Sequence, residues 1–81
     1  MGYPRRRPKR MAAKLKQIRE SLGLSQSELV QELGLDIDYS NISKFELDKN
    51  EPPIDVLLAY CRRLNVPLEQ IVDDELELRL P

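Results

Sequence analysis

The sequence is poor in the residues on which most enzymes and metal proteins depend. Its 81 residues include no histidine, no tryptophan, one phenylalanine and a single cysteine, Cys61. The lone cysteine excludes an internal disulfide, and without histidine there is no ready set of zinc ligands. A chain of this length buries only about 60% of its unfolded surface, which leaves little room for a deep substrate cavity. We therefore expect a protein that is not an enzyme and that has no metal and no cofactor.

Long apolar stretches are also missing. No segment approaches the run of about 18 apolar residues that a membrane-spanning helix requires, so we expect no contact with a membrane. The basic start of the chain resembles an export signal, but Lys14, Lys16 and Arg19 occupy the segment in which such a signal needs an apolar core. A single free thiol fits a reducing compartment. We expect one domain and a cytoplasmic location.

The net charge is small, but it is unevenly distributed. The chain has 13 basic and 14 acidic residues; residues 1–19 contain eight of the bases and no acid, which leaves the rest of the chain strongly acidic. This asymmetry is typical of a basic arm attached to an acidic body. Prolines and a glycine keep residues 1–10 from forming a packed helix, so we expect this arm to stay extended until an anion binds it. Its basic residues are Arg5, Arg6, Arg7, Lys9 and Arg10.

The cluster of positive charge on an otherwise acidic chain predicts that this arm contacts DNA phosphates. A solubility tail or a localisation signal is the alternative interpretation of the same residues.

Hydrophobic periodicity predicts an all-α fold of five helices. The first helix begins at Met11 and ends before Gly23, which offers a C-terminal cap. The second follows Ser25, which is placed to form a capping box with Glu28, and it ends at Gly34.

Similar signals place the last three helices. Asp38 is a suitable N-cap for a third helix over residues 39–47, and the adjacent prolines before Ile54 separate it from a fourth helix that ends near Leu64. Pro67 opens a short fifth helix. The apolar residues predicted to face the core are Met11, Leu15, Ile18, Leu22, Leu29, Val30, Leu33, Ile42, Phe45, Ile54, Leu57, Leu58, Cys61, Leu64, Leu68, Ile71 and Val72.

The last residues have a different period. Polar and apolar residues alternate over 75–80, which indicates a strand. A lone strand is not stable in water, and no other segment of this chain has the strand pattern. As a hypothesis, Leu76, Leu78 and Leu80 pair with the same segment of a second copy and join a dimer.

The run LKQIRESLGLSQSELVQEL, followed by NISKFELDKNEPPIDVLLAYCRRLNV and PLEQIV, resembles the Cro and phage-repressor type (Xre-like) helix-turn-helix DNA-binding domains. The resemblance covers about residues 12–73. It rests on the order of LGLSQSEL, Gly34, the stretch ISKFE and Pro52. It implies a five-helix repressor-like fold in which the helix beginning near Tyr39 enters the DNA major groove. The turn between Gly34 and Ile42 is two residues longer here than is usual in the family.

The resemblance also implies roles for single residues. The residues expected to contact bases are Tyr39, Ser40, Ser43 and Lys44. Those expected to contact the DNA backbone are Gln26, Ser27, Asn41, Lys49, Asn50 and Arg19, and Gln26 has the alternative role of bracing the recognition helix. The implied organisation is an arm over residues 1–10, a DNA-binding domain over 11–74 and a tail over 75–81.

We therefore expect a sequence-specific regulator that binds double-stranded DNA. A dimeric repressor is the favoured form, because one recognition helix contacts only a few base pairs. The alternative is a protein-interaction module, such as an antitoxin or a transcriptional bridging factor, in which the acidic body or the tail binds another protein. Nothing in the sequence indicates a small-molecule ligand.

Overall fold

The computed structural model of the chain describes residues 8–80, and within this range every regular element is an α-helix. The helices are α1 (Met11–Ser21), α2 (Gln26–Leu33), α3 (Tyr39–Glu46), α4 (Ile54–Leu64) and α5 (Leu68–Val72). The five predicted helices are confirmed. In the part of the chain described, no helix combines the length and the apolar character needed to cross a bilayer.

The predicted capping signals account for where the helices begin and end. At the start of α2, the Ser25 hydroxyl accepts the backbone N–H of Glu28 at 3.1 Å, and the Glu28 carboxylate accepts the N–H of Ser25 at 2.8 Å. Gly34 ends α2 with φ 64° and Asn65 ends α4 with φ 55°. Both residues have the left-handed conformation that closes a helix.

Each helix contributes to one hydrophobic core. Leu15, Leu29, Ile42, Leu57 and Ile71 come from α1 to α5 in turn, and all are almost completely inaccessible to solvent. Burying a side chain of this size stabilises the fold by about 1.5–3 kcal/mol. Since the helices are short, this shared core rather than helix propensity holds them together.

The predicted core face of α4 was partly wrong. Ile54 is 59% exposed and Leu58 is only half-buried, whereas Val56 and Tyr60 lie in the core. An α-helix turns by about 100° per residue, so Ile54 lies about 200° from Val56 and faces the opposite side. Leu22, Val30, Leu33, Leu68 and Val72, also predicted to be inside, lie at the edge of the core and are partly buried.

The long turn between α2 and α3 is anchored by apolar side chains. Leu35 and Ile37 pack against the core, while Asp36 between them is exposed. The core residues Ile42 and Phe45 of α3 remain buried. The turn therefore accommodates its extra length without lifting α3 away from the other helices.

The C-terminal segment, residues 73–80, does not form a strand in the single chain. Leu78 and Leu80 pack against the chain's own core, and Leu76 is exposed. The backbone N–H of Arg79 donates to the side-chain carbonyl of Gln70 at 2.9 Å. The segment with the alternating pattern is thus irregular, and two of its apolar residues pack on its own domain. Pairing with a second copy stays a prediction.

Lys14 is not part of a basic surface. Its side chain is 2% exposed, and its ammonium donates to the carbonyls of Gln70 at 2.6 Å, Leu76 at 2.8 Å and Asp73 at 2.9 Å. Burial lowers the pKa of this ammonium, and the nearby cation Arg10 lowers it further. Lys14 therefore fastens the C-terminal segment to α1.

The end of the basic arm is attached to the domain. The carboxylate of Asp74 accepts the backbone N–H groups of Lys9 at 2.8 Å and Arg10 at 2.9 Å. It thereby caps the start of α1, where Arg10 offers no side-chain cap of its own. The sequence predicts that the arm stays extended until an anion binds it; for Lys9 and Arg10 that anion is a carboxylate of the chain itself. Arg5, Arg6 and Arg7 lie outside the described residues.

Candidate nucleic-acid interface

The outer side of α3 brings together the residues predicted to contact bases. Ile42 and Phe45 face the core, which fixes the opposite orientation for the rest of the helix. Tyr39 is 55% exposed, Lys44 is exposed, and Ser40 and Ser43 are half-buried. They form a polar surface with two hydroxyls, a phenol and an ammonium. We call these four residues the α3 face.

No acidic side chain of α3 interrupts this face. The one acid in the helix, Glu46, points inward with 4% of its side chain exposed. Asp38, just before the helix, is used as the predicted N-cap and accepts the N–H of Ser40 at 3.0 Å. Hydrogen bonding by Ser40 lowers the pKa of Asp38. Its carboxylate is therefore committed to starting the helix.

Glu46 joins α3 to the two preceding helices. Its carboxylate accepts Nε of Arg19 at 2.8 Å and Nη2 of Arg19 at 3.0 Å, and it accepts Nε2 of Gln26 at 3.3 Å. The third nitrogen of Arg19, Nη1, donates to the carbonyl of Leu24 at 2.9 Å. Hydrogen bonding to Glu46 raises the pKa of the guanidinium. The end of α3 is thus fixed against α1 and the start of α2.

This arrangement bears on two of the predicted roles. Gln26 donates to Glu46 at the end of α3, in keeping with the bracing role that was one of the two expected for it. Arg19 was expected to contact the DNA backbone, but each of its three nitrogens donates to a partner inside the domain. Its side chain is only 15% exposed. We therefore assign Arg19 a bracing role instead.

The remaining residues expected at the DNA backbone lie in α2, in α3 and in the loop after α3. Ser27 is exposed in the first turn of α2, and Lys49 and Asn50 are exposed in the loop after α3. Asn41 is half-buried, and its side-chain amide donates to the carbonyl of Asp38 at 3.2 Å. The backbone N–H of Lys49 donates to the carbonyl of Lys44 at 2.9 Å, which folds the loop back onto the end of α3.

A groove beside α3 was not predicted. It has a volume of about 400 Å³ and lies between the long turn, α3 and the start of α4. Its lining residues are Ile37, Asn41, Phe45, Asn50, Glu51, Pro53 and Val56. Two of them, Asn41 and Asn50, are residues expected at the DNA backbone, so the groove borders the candidate interface.

The single thiol is not part of this surface. Cys61 is a free cysteine buried in the core, and burial raises the pKa of its thiol. It packs as a small apolar residue. Within residues 8–80, no group of three or more potential ligands is arranged to hold a metal ion.

Comparison with known proteins agrees with the helical fold described above. A family model described as helix-turn-helix matches residues 15–71. The fold is similar to that of the P22 c2 repressor protein, solved in complex with synthetic operator 9T in the presence of Tl+, with a TM-score of 0.68 and 23% identity over 79% of this chain and 94% of that one. A comparison with curated proteins gives no match. The chain belongs to the helix-turn-helix family of DNA-binding transcriptional regulators.

Proposed function

We propose that the chain is a sequence-specific repressor that acts in the cytoplasm by binding double-stranded DNA as a homodimer. The observation that carries this proposal is the α3 face, a polar and acid-free surface on a helix whose other side is fixed in the core. Family membership and the likeness in fold to the P22 c2 repressor, solved with an operator, support it.

The chemistry of the α3 face suits the edges of base pairs. The major groove is about 12 Å wide and admits an α-helix, and each base pair presents a distinct pattern of donors and acceptors there. The ammonium of Lys44 can donate to O6 and N7 of guanine, and the hydroxyls of Ser40 and Ser43 can donate or accept. Tyr39 stands at the first turn of α3, where it reaches the base edges or the adjacent sugar.

The start of α2 suits a phosphate. The first N–H groups of a helix have no acceptor within the helix, and they point outward with the positive end of the helix dipole. Gln26 and Ser27 occupy this first turn. Because Gln26 donates its amide to Glu46, a phosphate bound here would be held at a fixed distance from α3.

Two copies are needed for useful specificity. One recognition helix contacts only a few base pairs, so we propose that a dimer binds two half-sites about 34 Å apart. Leu78 and Leu80 already cover the core of their own chain, which leaves Leu76 as the exposed member of the proposed dimer contact. Leu76→Asp should therefore reduce the mass seen in sedimentation from dimer to monomer without unfolding the domain. An unchanged dimer would place the contact elsewhere.

In-vitro selection of bound sequences tests the main proposal. The wild-type protein should enrich one motif with two related halves. Lys44→Ala should reduce the discrimination between bases at one position of the motif by about 1–3 kcal/mol. Lys49→Ala should instead reduce the affinity for all sequences by the same factor. Lys16→Ala removes the same charge from an exposed position on α1 and should leave the motif unchanged. Binding without any enriched motif would contradict sequence-specific regulation and favour a protein-interaction module.

A further inference from the structure

Acidic residues of the C-terminal segment contact Lys9 and Arg10, the last two residues of the basic arm. Residues 73–77, which we call the acidic strap, contain Asp73, Asp74, Glu75 and Glu77. The strap reaches Lys9 and Arg10 through hydrogen bonds that span more than 60 residues of sequence. It thus brings negative charge to the basic residues that the sequence assigns to DNA.

Arg10 donates to the strap with its side chain as well as its backbone. Its Nη1 donates to the backbone carbonyl of Asp74 at 2.7 Å, and its Nη2 forms an ion pair with the carboxylate of Glu77 at 2.9 Å. These contacts use two of the five N–H groups of the guanidinium, so a phosphate that accepts from the same N–H group of Nη2 has to displace Glu77. In the free protein, therefore, Glu77 occupies part of the donor capacity of Arg10.

The strap is anchored to the domain by contacts with buried groups. The buried ammonium of Lys14 donates to the carbonyls of Asp73 and Leu76, on either side of Asp74 and Glu75. Leu78 packs against the core just beyond Glu77. The backbone of the strap is therefore held in place, whereas the exposed side chains of Arg10 and Glu77 can change partners.

The Arg10–Glu77 pair is suited to exchange. The side chains are 43% and 75% exposed, and ion pairs in such surroundings are weak and sensitive to salt. A DNA phosphate offers Arg10 a partner of the same geometry with a much stronger surrounding field. Exchange needs no change in the backbone, since Asp74 keeps the backbone N–H groups of Lys9 and Arg10.

We propose that the acidic strap is an autoinhibitory contact, in which Glu77 competes with DNA phosphate for the guanidinium of Arg10. This inference rests on the proposed function, because it assumes that the chain binds DNA. Its effect is to lower sequence-independent affinity, which depends mainly on phosphate contacts. Weak non-specific binding leaves more of the protein available for its specific site.

The test is binding of the full chain to a mixed-sequence DNA duplex over a range of salt concentrations. Glu77→Gln should raise the affinity about two- to fivefold, because this factor corresponds to the strength of an exposed ion pair. It should also steepen the slope of log affinity against log salt by about one, because one more phosphate is neutralised. Arg10→Gln should lower the affinity and abolish the effect of Glu77→Gln in the double variant.

Glu75→Gln is the matched control. It removes the same charge from the same strap, and the described structure records no contact between Glu75 and Arg10. Equal gains from the two glutamate variants would indicate a general charge effect and overturn the proposal, as would no gain from Glu77→Gln. Failure of the wild-type chain to bind any duplex would instead refute the proposed function and the strap proposal with it.

Discussion

The carboxylate of Glu46, the last residue of α3, accepts two hydrogen bonds from the guanidinium of Arg19 in α1, at 2.8 and 3.0 Å. The side chains of both residues are largely buried. Gln26, the first residue of α2, donates to the same carboxylate. The three helices that orient the α3 face therefore meet at one carboxylate, and the geometry of the candidate interface depends on it.

We expect loss of this carboxylate to destabilise the domain strongly. Glu46→Ala leaves the Arg19 guanidinium partly buried without its anion, which costs about 3 kcal/mol or more in the free energy of unfolding. Denaturant unfolding followed by circular dichroism measures the change.

Glu32→Ala is the control, since Glu32 pairs with Arg63 at 2.7 Å on the exposed surface between α2 and α4. Loss of an exposed pair costs about 1 kcal/mol at most. Similar losses in the two variants would contradict the bracing role of Glu46.

Tyr60 allows a gain in stability. Its hydroxyl is buried and has no hydrogen-bond partner among the described residues, and burial raises the pKa of the phenol. Tyr60→Phe keeps the ring and removes the unpaired polar group, so the free energy of unfolding should rise by about 1 kcal/mol. Tyr60→Ala, which also removes the ring, should instead cost about 3–5 kcal/mol. A loss of stability in Tyr60→Phe would show that the hydroxyl has a partner in solution.

The sequence predicts the parts of the fold that depend on near neighbours. Ser25 and Glu28 are three residues apart, and Gly34 and Asn65 act on the helices that they directly follow. Ile54 was misplaced because Val56 is also apolar, and hydrophobic spacing alone does not fix the rotation of a helix that begins after two prolines.

The contacts that no local pattern reveals join residues far apart in sequence. Lys14 and Gln70 are 56 residues apart, and Arg19 and Glu46 are 27 apart. As a result, two cations that were expected to contact DNA, Arg10 and Arg19, have partners within the domain, as does Lys14. The exposed α3 face was predictable, since it follows from the buried positions of Ile42 and Phe45 in the same helix.

Lowering the pH should destabilise the fold by protonating the carboxylate of Asp74. Hydrogen bonds from the backbone N–H groups of Arg10 and Lys9 lower the pKa of this carboxyl, so the ionised form is favoured in the folded state. A folded pKa below the unfolded one gives stability that is fully present above about pH 5 and is lost as the pH falls through the folded pKa.

Thermal unfolding of the wild type and of Asp74→Asn between pH 7 and pH 3 measures this contribution. The difference between their midpoints should be largest at pH 7 and should shrink as the pH falls below about 4. Glu75→Gln, which alters a neighbouring carboxylate, should follow the wild type at every pH. A constant difference between Asp74→Asn and the wild type would mean that the carboxylate charge does not stabilise the start of α1.

The salt dependence of DNA binding should report on the basic arm. Replacing Arg5, Arg6 and Arg7 with glutamine should reduce the slope of log affinity against log salt by up to about three, if each residue neutralises one phosphate. The control replaces three exposed cations outside α3 and its loop: Lys16, Arg62 and Arg79. These two triple variants have the same net charge, so a reduced slope in the arm variant alone would locate the phosphate contacts in the arm. An equal reduction of the slope in both variants would mean that the arm acts only as a general source of positive charge. An unchanged slope in the arm variant would mean that the arm does not contact DNA.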